Sequence, residues 1–151
     1  MTGKQTSNNN SKSEMNVRYP AILKPQAEGG FTVFFPDLEE AVTEGDSLEE
    51  SLFNAADVLT LTLEARMEEG LNIPSPSSVI NAYEVAPAAK VQAALLVRMC
   101  RGTRPMADFA RNLETSWPSA ARLEDPSHWP SLKQLDRAAS ALGKRLVLSF
   151  E

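Results

Sequence analysis

Residues 29–52 read GGFTVFFPDLEEAVTEGDSLEESL, and this stretch decides the fold of the first half of the chain. Gly29-Gly30 marks a tight turn, because residues without a Cβ take positive φ at little cost. Phe31–Phe35 follows as a strand rich in aromatic and β-branched side chains. Pro36-Asp37 ends it, since proline lacks the N–H that a ladder needs and restricts the residue before it. Residues 41–44 form a second short run before a polar turn at Gly45-Asp46. Ser47 and Glu50 have the spacing of a capping box, in which each side chain takes an orphan backbone N–H from the other. The helix so opened carries Leu48, Leu52, Ala56, Leu59, Leu63 and Met67 at spacings of four or three, one apolar stripe.

Working outward, residues 17–23 (VRYPAIL) supply a partner strand, joined by a hairpin around residues 25–30. Downstream, Gly70 stands where a helix C-terminus wants a residue that tolerates the left-handed region, and Pro74 and Pro76 prevent resumption. Residues 78–85 (SVINAYEV) then return as another strand. The predicted order is β-β-β-α-β, an α+β unit with one helix on one face of a small antiparallel sheet.

The segments YPAIL, GGFTVFFPDL, TEGDSLEESLFNAADVL and LEARMEEGLNIPSPS, in that order and spacing, closely resemble the N-terminal domain of HicB antitoxins. The resemblance spans residues 15–85 and departs at Glu39-Glu40-Ala41, where family members usually carry a Pro-Gly-Cys-like turn. It implies a partial RNase H-like fold without nuclease activity, and a partner: a small HicA-like toxin that cleaves mRNA.

Composition sets the outer limits. A chain of 151 residues allows one ordinary domain or two small ones. No apolar run approaches bilayer length and no charged-then-apolar leader is visible, so a soluble, cytoplasmic protein without a membrane partner is expected. One cysteine, Cys100, excludes an intramolecular disulfide and is expected to be a buried structural thiol. Residues 1–14 contain almost nothing apolar and read as a disordered tail.

Charge divides the remainder. Residues 15–85 hold three basic residues (Arg18, Lys24, Arg66) against thirteen acidic ones, whereas residues 86–151 hold ten basic and six acidic. An acidic module suits a basic protein partner and a basic module suits phosphate, although charged faces are often merely solvated. The loop acids Asp37, Glu39, Glu40, Glu44 and Asp46 are the candidate toxin contacts, offering carboxylates where RNA phosphates would go.

In the second half, residues 87–101 form a helix candidate closed by Gly102, with Arg98, Arg101 and Arg104 at its end. Residues 106–125 (MADFARNLETSWPSAARLED) contain two short helices about a tight turn at Glu114-Thr115, with Ser116 as N-cap of the second. A further helix, capped by Ser131, ends at Gly143. This run resembles the Xre/Cro-like helix-turn-helix family, whose turn most often carries glycine where this chain has Glu114. The resemblance covers about residues 87–146 and implies an all-α DNA-binding domain, expected at residues 86–151; a plain helical oligomerisation bundle is the alternative.

In that docking mode the second helix enters the major groove, which puts Ser116, Trp117, Ser119 and Arg122 near base edges. Arg122 is the candidate for a bidentate contact to guanine. Arg111, Arg101 and Arg104 are candidate phosphate contacts, with helix capping as the alternative for the arginines near the end of the first helix. Residues 146–150 (LVLSF) alternate like a strand that pairs either with a symmetry mate or with its own domain. A single head binds weakly, so a homo-oligomer, dimer or tetramer, is expected.

Catalytic groups are scarce. His128 is the only histidine, so neither a zinc site nor a Ser-His triad can be assembled, and no metal, cofactor or catalytic residue is predicted. The expected function is an antitoxin that neutralises a HicA-like toxin and represses its own operon on operator double-stranded DNA. The rival expectations are a ligand-sensing helix-turn-helix regulator without a toxin, and an RNA-processing enzyme using the acidic set.

Overall fold

The computed structural model describes residues 14–151, so all but the last residue of the expected tail lies outside the described residues. The first half contains β1 (Tyr19–Pro25), β2 (Phe31–Phe35), β3 (Leu38–Gly45), α1 (Leu48–Glu68) and β4 (Tyr83–Val85). These strands make one antiparallel sheet in the order β3-β2-β1-β4. The predicted β-β-β-α-β order is therefore present.

Its details differ in instructive ways. β3 begins at Leu38, directly after the turn, because Phe35 pairs with Leu38 across Pro36-Asp37. Glu39, Glu40 and Ala41 are thus strand residues. The return strand is shorter than the expected 78–85, since Asn81 takes φ 65° and turns the chain before Tyr83. Residues Gln26 to Gly30 close the first hairpin, with Gly29 and Gly30 at φ 98° and 79°.

α1 starts at the predicted N-cap: Ser47 Oγ accepts from the Glu50 amide at 3.1 Å. The other half of the box is displaced, because Glu50 Oε1 accepts from the Asp46 amide, at 2.9 Å. The predicted stripe is largely the buried one: Leu59 and Leu63 lie in the core, and Leu52, Ala56 and Met67 pack against it. Ser51, Ala55, Leu59, Thr62 and Leu63 face the sheet, whereas Leu48 is 42% exposed. At the first turn Ser51 takes the buried place because the end of β3 approaches the helix too closely there for a larger side chain. The helix ends as expected: the Leu71 amide reaches back to the Arg66 carbonyl at 2.8 Å, and Gly70 takes φ 69°.

The second half contains α2 (Ala89–Arg101), α3 (Met106–Asn112), α4 (Trp117–Arg122) and α5 (Leu132–Ala141). The expected terminal strand at 146–150 does not form; residues 144–151 have no regular structure. A strand needs a neighbour for its backbone N–H and C=O groups. The described residues of the single chain supply none there.

Two apolar clusters hold the molecule. The first joins Tyr19, Val33, Phe35 and Leu38 of the sheet to Leu59 and Leu63 of α1. The second gathers Phe109, Ala110, Ala120, Leu123, Ala138 and Leu142. α2 serves both: Val91 and Leu95 belong to the first, Val97 to the second. The first cluster thus runs past the boundary expected at residue 85. It also anchors the loop after α1, where the buried Tyr19 hydroxyl donates to the Pro74 carbonyl at 2.7 Å. Burial pushes the Tyr19 phenol up to about 12.

Candidate functional site

The five acidic candidates of the first half sit along β3 and its two ends, but they are not equally free. Glu40 forms a bidentate pair with Arg66 of α1, Nε at 2.6 Å and a terminal nitrogen at 2.8 Å. Those hydrogen bonds hold its carboxyl down at about 2. Asp37 accepts from both the amide and the hydroxyl of Ser77, clamping the loop that follows α1. The Glu44 carboxylate accepts only a long 3.4 Å contact from Gln26, while its carbonyl accepts from the Asn54 side-chain amide at 2.8 Å. Among the described residues the side chains of Glu39 and Asp46 show no hydrogen bond or ion pair, although Glu39 lies within the field of Arg66. Asp37 and Glu40 are therefore fold-stabilising groups, while Glu39, Glu44 and Asp46 present free or nearly free charge.

The three basic residues of this half are all engaged. Arg66 holds Glu40 and the Asn72 carbonyl, Lys24 lies 5.4 Å from the centre of the Phe34 ring, and Arg18 pairs with Glu151 at 2.5 Å. The negative field of the first half is thus largely uncompensated at its surface.

In the second half, α3 and α4 meet through a tight turn in which Glu114 takes φ 56°. This is the left-handed position where glycine was expected to be more common, at a cost of roughly 1 kcal/mol. Ser116 caps α4, its Oγ accepting from the Ser119 amide at 3.2 Å and donating to the Ser119 hydroxyl at 3.0 Å. Those two hydroxyls are occupied in the cap. Trp117, 56% exposed, and Arg122 stand outward on the same short helix.

The other arginines divide by role. Arg101 binds Glu124 through two nitrogens, at 2.5 and 3.1 Å, tying the end of α2 to the end of α4. Arg104 donates to the carbonyls of Cys100 and Arg101, closing the C-terminus of α2 as the capping alternative has it. Arg111 makes only an exposed pair with Asp108 at 3.1 Å. Arg122 and Arg111 are consequently the most available cations of the predicted set.

Cys100 is only partly buried, packed against the second cluster. His128 lies in the loop after α4, its amide donating to the Asp125 carbonyl at 3.1 Å. The Ser127 hydroxyl and amide bond Asp125 and hold its carboxyl below the usual range. Among the described residues no group of three His, Cys, Asp or Glu could hold a metal ion. No helix there is long and apolar enough to cross a membrane.

Residues 18–94 match the family model described as HicB_like antitoxin of bacterial toxin-antitoxin system, which spans the sheet, α1 and the first part of α2. The chain belongs to the HicB-like antitoxin family. Likeness extends along most of the sequence. Antitoxin HicB 1 of Photorhabdus laumondii is 33% identical over 137 residues, covering 90% of this chain and 88% of that protein. Antitoxin HicB 2 of the same organism is 36% identical over 134 residues, 88% of this chain and 96% of the relative. Antitoxin HicB of Escherichia coli K12 is 31% identical over 136 residues, covering 87% and 98%.

α1 carries a further set of exposed groups. The acids of its polar face stand out in the sequence, but Phe53 and Leu61 share that face and are 72% and 64% exposed. A helical projection contains the signal: neither residue falls on the buried stripe.

Proposed function

We propose that the chain is an antitoxin and autorepressor. Residues 15–85, a partial RNase H-like unit, bind a small HicA-like mRNA-cleaving toxin and occlude it. Residues 86–151, an Xre/Cro-like helix-turn-helix unit, bind operator double-stranded DNA at the pair's own promoter. The observation that carries this is the likeness, over nearly nine-tenths of the chain, to relatives named antitoxin HicB.

Charge supports the division of labour. The first half carries thirteen acidic residues against three basic ones, and all three basic residues are internally engaged. Glu39, Glu44 and Asp46 lie where a cationic partner can meet them. In the second half, Trp117 and Arg122 stand at the two ends of α4 and Arg111 in the last turn of α3, a set whose chemistry suits base readout with phosphate anchoring. The exposed Val147, Leu148 and Phe150 offer an unpaired apolar edge to a second copy, which would bring two heads onto two half-sites.

Two assays test this. The full chain, co-expressed with the small protein encoded beside it, should co-purify with it in fixed proportion and relieve its toxicity. A gel-shift titration against the promoter of the same operon should show specific, salt-sensitive binding. Failure to capture or neutralise any neighbour-encoded protein overturns the antitoxin half, and failure to bind the promoter above unrelated DNA overturns the repressor half.

A further inference from the structure

We propose that the outward face of α1 is the surface that seats the toxin, with Phe53 and Leu61 as its apolar anchors; this rests on the antitoxin role above. α1 runs 21 residues and turns Ser51, Ala55, Leu59 and Leu63 to the sheet. On the opposite side Glu50, Phe53, Asp57, Leu61, Glu64 and Glu68 follow one another at spacings of three or four, so they form a single row. Scattered exposed apolar residues need no explanation. Here, however, an aromatic and an aliphatic side chain share one row, about 12 Å apart along the axis, each bracketed by carboxylates. An apolar anchor inside a charged rim is the anatomy of a protein interface.

Charge selects the occupant. The only basic residue of α1, Arg66, is held by Glu40 and the Asn72 carbonyl, so the outward row carries no free cation. A second copy packed on this row about a two-fold axis would set its carboxylates against their own images, and like charges in contact oppose association. A protein that grips RNA phosphate must itself be cationic at its working surface. Such a partner meets Asp57 and Glu64 with its basic side chains while Phe53 and Leu61 enter its apolar depressions. At the N-terminal end of the row a cleft lined by Ser47, Glu49, Glu50 and Phe53 lets a lysine or arginine lie against the aromatic ring between carboxylates.

The test uses the full chain and the small protein encoded beside its gene, with binding read by calorimetry and oligomeric mass by light scattering. Phe53→Ala and the double charge reversal Asp57→Lys/Glu64→Lys should each weaken binding roughly thirtyfold or more, the loss typical of an interface anchor. Melting temperature and operator binding should stay at wild-type values. If the wild type binds and both variants bind equally well, the inference falls while the antitoxin role stands. If the variants instead change only the oligomeric mass, the row is a self-interface and the inference falls. If the wild type binds no neighbour-encoded protein, the antitoxin role itself fails and takes the inference with it.

Discussion

Gly45 approaches Ser51 so closely that a Cβ on Gly45 would lie 2.6 Å from both the amide nitrogen and the hydroxyl oxygen of Ser51. The end of β3 is thereby pressed onto the first turn of α1. Gly30 joins the same stack: a Cβ there would lie 2.5 Å from the Gly45 carbonyl oxygen. One glycine, one serine and one turn glycine thus set the distance between sheet and helix, and with it where the outward row of α1 stands.

Gly45→Ala should therefore destabilise the protein by about 1–3 kcal/mol, the usual range for overpacking a tight contact. Ser51→Ala is the informative companion. Ser51 Oγ is buried without a hydrogen-bond partner among the described residues, so its removal should be neutral or stabilising by up to about 1 kcal/mol. Urea unfolding midpoints check both, and an unchanged midpoint for Gly45→Ala would contradict the close approach.

The Arg66–Glu40 pair predicts an acid limb in the stability curve. The folded carboxyl sits at about 2 against an ordinary 4.5, so it is depressed in the folded state. Its stabilisation is complete above about pH 4.5 and is lost as pH falls toward 2. With side chains 21% and 47% exposed, solvent screening limits the pair to about 1 kcal/mol or less. Arg66→Ala should melt below wild type at pH 7, and the difference should shrink steadily on acidification to pH 2. A difference independent of pH would assign the loss to packing of the arginine stem instead.

Arg101 and Glu124 are less exposed, at 20% and 12% of their side chains, and link α2 to α4. Breaking the pair by Glu124→Gln leaves a half-buried guanidinium without its counter-ion and should cost about 2 kcal/mol, somewhat under the value for fully buried pairs. The promoter affinity of the variant should fall only where it begins to unfold. Gel shifts at low temperature beside a thermal melt separate this from a phosphate contact, whose loss would appear at every temperature.

Arg122 and Arg111 should behave differently from that pair and from each other. Arg122→Ala is expected to weaken operator binding by about tenfold or more while leaving toxin binding intact, as for a lost bidentate base contact. Arg111→Ala should weaken specific and unrelated DNA alike and lower the salt slope by about 1. Titrations across a salt series read both. A uniform loss for Arg122→Ala on all sequences would demote it to a backbone contact.

The sequence by itself determined the order of elements, because turn glycines, Pro36, the Ser47 and Ser131 caps and the left-handed Gly70 act locally. Each is readable from a residue and its neighbours within a few positions. It also determined the charge division, which is a property of composition. Only the tertiary structure decided how the first turn of α1 meets the sheet. The stripe read from apolar spacing holds from Leu52 to Met67, but Leu48 stays exposed and Ser51 is buried because room beside Gly45, not hydropathy, governs that contact. The same holds for the candidate site. Asp37, Glu40, Arg101 and Arg104 look like surface charges in the sequence, yet partners far along the chain or backbone carbonyls consume them. Residues 146–150 alternate like a strand but have no neighbour to pair with among the described residues. Pairing, burial and salt bridging are relations between distant residues, and they select from the charges of the first half those that remain for a partner.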